Sequence, residues 1–276
     1  MTLFHEMLRK TTSSAHHDKM MRFVVPLKDH FGINHFWYYR VTNSGHYSFL
    51  GSHTKWTEFC YAENMVNHFP CLRHPNSLQN GISLMKKTSN TDYRNVLKSA
   101  RNKFNINFNI QLLKKNPEGI EGFGFATRYD QRIGDEKLLN ELPLLSYFIE
   151  RFRKEHVKLF QLLHDNQVDL SSHLGPLFHE KQKVLQIPYN RELFLKKMGF
   201  AAVLSLTKRE KDILKYFSHG HSASYIADQL YLSSRTVENY ISNIKCKLSC
   251  FSKVELIEIS KELASFGYFE LYTTRG

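Results

Sequence analysis

Apolar and polar positions follow two different rhythms along this chain, and the change falls near residue 205. In the first part the period is mostly two. "INHFWYYRVTNSGHYSFL" at 33–50 reads as two aromatic-rich strands joined by a turn at Asn43, Ser44 and Gly45. The spacing of Trp56, Phe59, Cys60 and Met65 predicts a helix over 54–67. Alternation returns in "FNINFNIQLL" at 104–113, and the turn "KKNPEG" leads to a partner strand, "GFGFATRYD", at 122–130. A helical rhythm then runs over 135–164 through Leu138, Leu142, Leu145, Ile149, Phe152, Leu159 and Leu163. Hairpins with helices outside them predict an α/β sandwich on an antiparallel sheet, of the kind that encloses small ligands. This domain is expected over 1–164, with 165–204 as a connector of mixed pattern.

From residue 205 the elements become short helices with tight breaks, so the chain as a whole reads as α+β with an all-α C-terminal part. Thr207 and Glu210 have the spacing of a capping box, Ile213, Leu214 and Phe217 give the helix one apolar face, and Gly220 ends it. Ser222 caps a second helix with Ile226, Ala227 and Leu230 inward. Ser233 caps a third, and a fourth starts near Ser252. The four helices are expected within 205–265, followed by a tail at 266–276.

On the third helix, Val237, Ile241, Ile244 and Leu248 fall within an arc of about 60°. Arg235, Asn239, Ser242 and Cys246 lie opposite, flanked by Glu238 and Lys245 on one side and by Thr236, Tyr240 and Lys247 on the other. A helix with such a face suits a DNA major groove. Arg bridges the two acceptors of guanine, Asn pairs with adenine and Glu accepts from cytosine. Arg235, Glu238, Asn239 and Ser242 are therefore the candidate base-reading residues. Ser233, Thr236, Tyr240, Lys245 and Lys247 are the candidate phosphate contacts, which fix register without reading sequence. A solvated amphipathic helix gives the same wheel.

The wider pattern separates the two. "LTKREKDILKYFSHGHSASYIADQLYLSSRTVENYISNIKCKL" closely resembles the LuxR-type (LuxR/FixJ/NarL) helix-turn-helix. The matching positions include Leu206-Thr207, Arg209-Glu210, Ile213-Leu214, Gly220, Ser222, Ile226-Ala227, Ser233, Thr236-Val237, Asn243-Ile244 and Lys247-Leu248, and "SKVELIEIS" at 252–260 is similar to the fourth helix. Departures at Tyr225, Glu238 and Asn239-Tyr240 lie on or beside the reading face. The resemblance implies a sequence-specific transcriptional regulator that binds double-stranded DNA, with RNA polymerase as a candidate partner. Region 4 of sigma factors, a promoter-binding module, shares part of the motif and is the rival reading; it lacks the fourth helix. The wide apolar span on the fourth helix, with Val254, Ile257 and Ile259, marks a candidate homodimer contact.

Composition adds a second polyanion signal. Thirty-eight Lys and Arg against 26 Asp and Glu give +12, of which residues 205–276 carry ten cations and eight acids, so +10 lies before them. Between 86 and 115, Lys86, Lys87, Arg94, Lys98, Arg101, Lys103, Lys114 and Lys115 face one acid, Asp92. No adjacent acidic pair occurs among Asp18, Asp29, Asp92 and Asp130, which argues against a phosphorylated receiver domain at the N-terminus. The order of elements is similar to an autoinducer-binding, PAS or GAF sensor, with Trp37, Tyr39, Trp56 and Tyr61 as candidate pocket residues for a small-molecule signal. The alternative is a domain that binds a protein partner. No catalytic constellation, metal-ligand spacing or cofactor motif stands out among the 15 His and four Cys, so neither an enzyme, a metal nor a cofactor is expected. No secretory pattern or membrane-length apolar run appears, which makes the cytoplasm the expected location.

Overall fold

The aromatic run at 33–42 becomes the strand on which the first unit is built. The computed structural model describes residues 15–78, 80–86, 90–131, 134–180, 191–265 and 268–269. Two compact units divide between Gln182 and Lys183. In chain order the first holds α1 (Ala15–Phe23), α2 (Val25–Phe31), β1 (Ile33–Thr42), β2 (His46–Gly51), α3 (Thr54–Ala62), β3 (Gly81–Leu84), α4 (Thr91–Phe104), β4 (Ile106–Asn116) and β5 (Gly119–Arg128). It continues with α5 (Asp135–Asn140), α6 (Leu142–Glu155), α7 (Val157–Asp165), β6 (Val168–Asp169) and α8 (Leu170–Leu174).

The six strands form one sheet in the order β3-β4-β5-β1-β2-β6, with every pair antiparallel. Both faces are covered, so β1 is apolar on both sides. Trp37, Tyr39 and Val41 face one core, under Trp56 and Cys60 of α3 and Val96 and Ala100 of α4. Phe36 and Tyr38 face the other, under Leu145 and Phe152 of α6 and Leu159 of α7. Glycines on β5 make room for the large rings. Trp37 pairs with Gly124 and Tyr39 with Gly122, and each ring lies over the neighbouring glycine. A Cβ on Gly124 would sit 1.9 Å from Trp37, and one on Gly122 would sit 2.2 Å from Tyr39.

Several expected boundaries move, for local reasons. The helix predicted over 54–67 stops at Ala62, because Asn64 takes a left-handed φ of 51° and Met65–His68 form a separate 3-10 turn. Phe104, expected at the start of a strand, ends α4 instead, and Asn105 caps it in the left-handed region. The tract at 135–164 is three helices, with Pro143 in the first turn of α6, where its missing N–H costs no helix bond. The connector expected at 165–204 is corrected at both ends. Val168, Leu170, Leu174 and Phe178 pack into the first unit's core, while Leu195 and Val203 belong to the second's.

Among its described residues the second unit is all-α: α9 (Arg191–Lys197), α10 (Ala201–Leu204), α11 (Lys208–Ser218), α12 (Ala223–Leu230), α13 (Ser234–Leu248) and α14 (Lys253–Ser265). Its core gathers Ile213, Leu214 and Phe217 of α11, Ile226 of α12, Val237 and Ile244 of α13, and Leu256 and Leu263 of α14. The tail expected at 266–276 also contributes to this core, since Tyr268 and Phe269 are buried and the Tyr268 hydroxyl donates to the Val203 carbonyl at 3.0 Å. The other tail residues lie outside the described residues.

Candidate nucleic-acid interface

Side-chain caps set the start of each helix in the helix-turn-helix. The Thr207 hydroxyl accepts from the Glu210 N–H at 3.3 Å and the Glu210 carboxylate accepts from the Thr207 N–H at 2.7 Å, which completes the capping box. Ser222 accepts from the Tyr225 N–H, and Ser233 from the Thr236 N–H at 3.1 Å. Tyr231, in the left-handed region at φ 54°, ends α12 and turns the chain into α13. Val237 and Ile244 of α13 are buried, and Ile241 and Leu248 pack beside them.

The opposite face is open. Arg235, Glu238, Asn239, Ser242 and Cys246 are all exposed, and among the described residues neither Arg235 nor Glu238 is held by a salt bridge. Four polar side chains, Arg235, Glu238, Asn239 and Ser242, are thus exposed on one helix face. The candidate phosphate contacts divide. Lys245 is half-buried, and Tyr240 packs partly on the core. Ser233 and Thr236 bond each other's hydroxyls at 2.8 Å at the start of the helix.

Lys247 is a correction. Its ammonium donates to the Glu210 carboxylate at 2.8 Å, and that carboxylate side chain is only 4% exposed. Burial pushes the Glu210 carboxyl up, but hydrogen bonds from Lys247 and Thr207 outweigh it and hold the group below its ordinary value. The wheel placed Lys247 at the margin of the reading face and could not show an acid 37 residues away. This lysine therefore locks α13 to the first turn of α11.

The fourth helix also presents less apolar surface than expected. Val254 is 65% exposed, but Ile257 and Ile259 are half-buried against the unit's own core. Phe251, just before the helix, is 88% exposed and joins Val254 as free apolar surface.

In the first unit the structure brings Trp37, Tyr39, Trp56 and Tyr61 around one cavity of about 40 Å³, with His35, Tyr47, Cys60 and Cys71. That volume holds about three waters, each needing ~10–15 Å³. The Tyr39 hydroxyl donates to Gln111 Oε1 at 3.5 Å, the Tyr47 and Tyr61 hydroxyls are neighbours, and burial pushes the Cys71 thiol up to about 12. His35 was missed from sequence. Fully buried and stacked on Trp37, it is driven by burial down to about 3, and among the described residues its Nδ1 has no hydrogen-bond partner. The signal was there in the register, since His35 and Trp37 are two residues apart on one strand.

Among the described residues no group of three or more His, Cys, Asp or Glu gathers to hold a metal, and no helix is long and apolar enough to cross a membrane.

Comparison with known proteins agrees with the geometry of the second unit. Residues 204–260 match the family described as bacterial regulatory proteins, luxR family. The transcriptional regulatory protein DesR of Bacillus subtilis is 43% identical over 61 residues, 22% of this chain and 31% of DesR. The Fimbriae Z protein of Salmonella typhimurium is 41% identical over 58 residues, 21% of this chain and 28% of that protein. This chain thus spans under a third of either relative. The Fimbriae Z protein of Escherichia coli K12 aligns more widely, at 28% identity over 186 residues, which is 62% of this chain and 86% of that one. Among solved structures, Escherichia coli SdiA covers 96% of both chains at 15% identity and a TM-score of 0.37, a likeness too loose to carry a function across. Residues 204–260 are a helix-turn-helix domain of the luxR family.

Proposed function

We propose that this chain is a sequence-specific transcriptional regulator that places α13 in the major groove of double-stranded DNA. The observation that carries the reading is the exposed face of Arg235, Glu238, Asn239 and Ser242 on a helix whose other face is buried. Arg235 and Asn239 supply bidentate readout, worth ~1–3 kcal/mol of discrimination per contact. Lys245, Tyr240 and the capped N-terminal turn of α13 with Ser233 and Thr236 take phosphates. Lys247 is left out, because its charge is engaged by Glu210.

Two further parts belong to the proposal. Val254 and Phe251 form the contact by which two copies pair and present two recognition helices to neighbouring half-sites. The first unit senses a signal, and the aromatic cavity around His35 is where a compact molecule binds. Leu144, Tyr147 and Val157, exposed on α6 and α7, favour a second reading in which that unit answers to a protein partner.

Selection of bound fragments from a random duplex pool tests the main reading. The parent should enrich one motif, and Asn239→Ala should relax it at one or two base pairs while non-specific affinity stays nearly the same. An unchanged motif would remove Asn239 from the reading set, and no enrichment by the parent would end the proposal.

A further inference from the structure

The basic stretch at 86–115 is unused by the α13 interface, and folding sorts its cations. Lys86 is neutralised by Asp135 at 2.8 Å, Lys115 is half-buried, and Lys87 lies outside the described residues. What is left on the surface is concentrated on α4. Its buried side holds Tyr93, Val96, Leu97 and Ala100. At 100° per residue, Arg94, Lys98 and Arg101 fall within an arc of about 60° on the other side, with Asn95 and Asn102 beside them.

None of those three cations has a carboxylate partner among the described residues. Arg94 donates only to the Thr91 hydroxyl at 3.0 Å. The Arg101 guanidinium carbon lies 5.4 Å from the centroid of the Tyr129 ring, a cation–π contact that leaves its charge without a carboxylate. Of the nearby acids, Asp130 is paired with Arg128 at 2.6 Å, and Asp92, 3.7 Å from His68, lies about 160° round the helix from Arg94. The row climbs α4 by ~6 Å from Arg94 to Lys98 and ~4.5 Å more to Arg101, a line of positive charge along one side of the helix.

We infer that this face of α4 is a second, sequence-independent DNA contact, binding the phosphate backbone of a duplex. The face carries donors and positive charge with no exposed large apolar residue of its own. That composition suits phosphates, whereas a membrane surface needs an apolar side to insert and a protein partner an apolar anchor. The inference rests on the chain binding DNA, but it adds affinity without adding readout.

The test uses the full chain, Arg94→Gln/Lys98→Gln, and duplexes of 16 and 40 base pairs that carry the selected motif. Both substituted residues are exposed, so the fold should hold, which an unchanged circular-dichroism melt verifies. The double variant should keep the parent's motif and lower the slope of log affinity against log salt by about two units, one for each phosphate that it no longer neutralises. Over a fourfold rise in salt the parent then loses about 16 times more affinity than the variant does. The parent should also prefer the longer duplex, and the variant should lose that preference. Equal slopes for parent and variant would overturn the inference while leaving the α13 reading intact. A parent that binds no DNA would instead overturn the reading on which the inference rests. Vesicles of phosphatidylglycerol serve as the competing probe: binding abolished in the variant with its DNA slope unchanged would give the face to a membrane and refute the DNA contact.

Discussion

Replacing Lys247 with methionine keeps the reach of the side chain and deletes the ammonium that meets Glu210 at 2.8 Å. The carboxylate, 4% exposed, would then keep the Thr207 N–H at 2.7 Å as its remaining donor. Breaking a fully buried pair from one side costs ~3–5 kcal/mol, because a charge is left uncompensated. Lys247 is itself 36% exposed, so water reaches the site and the cost falls to about 2–3 kcal/mol. The reciprocal change is milder. In Glu210→Gln the ammonium returns to solvent and the amide oxygen still accepts from Thr207, for a loss of about 1 kcal/mol. In a unit of this size 1 kcal/mol moves the melting temperature by ~4–8 °C, so the two variants should differ by roughly 5–15 °C. Thermal melts followed by circular dichroism measure this, with hydrogen exchange in α11 and α13 assigning the transition. The pH dependence should change sign. The parent's Glu210 carboxyl is held low, so its contribution is present above the ordinary carboxylate range and is lost as pH falls through the folded value. In Lys247→Met burial dominates, the carboxyl is raised, and acid becomes stabilising across that range. A Lys247→Met melt within about 2 °C of the parent's, on the order of a surface change, would refute the lock.

Two further changes probe the first unit. Gly124→Ala brings a methyl carbon to 1.9 Å from Trp37, so the ring must leave its place; the loss should be about 1–3 kcal/mol or more, with red-shifted tryptophan emission, and unchanged emission would contradict the packing. His35, buried neutral with a value near 3, should make the parent lose ~1.4 kcal/mol per pH unit as pH falls from 6.5 toward that value, since unfolding takes up a proton that the folded ring refuses. His35→Phe should remove one proton from the uptake on unfolding, and equal uptake in parent and variant would show that His35 titrates like an exposed ring.

What could be read from the sequence was local. The capping box at Thr207 and Glu210, the serine caps and the two hairpins are each written within a few neighbouring residues, and they are where expected. Pairings made across the chain were not legible. Lys247 had the right angle for a phosphate, but its partner is 37 residues distant, and Lys86 gave its charge to Asp135 in the same way. Residues 168–178 escaped because β6 and α8 have two and five residues, too short to show a period. The buried amide of Asn109 resembles a polar slot in an alternating strand, yet it sits at a bulge and accepts from the Thr127 N–H at 2.9 Å, in place of a ladder bond. The candidate reading face was legible because it lies on one helix, and its phosphate partners were less so because they depend on what folds beside it.

The two non-glycine left-handed residues that bracket α13, Tyr231 before it and Ser249 after it, confine the helix to fifteen residues. Fifteen residues span about 22 Å, and Arg235 to Cys246 covers only about 16 Å of that. A helix lying in a groove that advances ~3.4 Å per base pair can therefore address no more than about five base pairs. Five pairs recur by chance about once per thousand, against ~10⁶ or more competing sites in a genome. The length fixed by those two residues sets an information ceiling that no better side chain on α13 can lift. A regulator built on this helix can single out a gene only by counting more than one helix per operator.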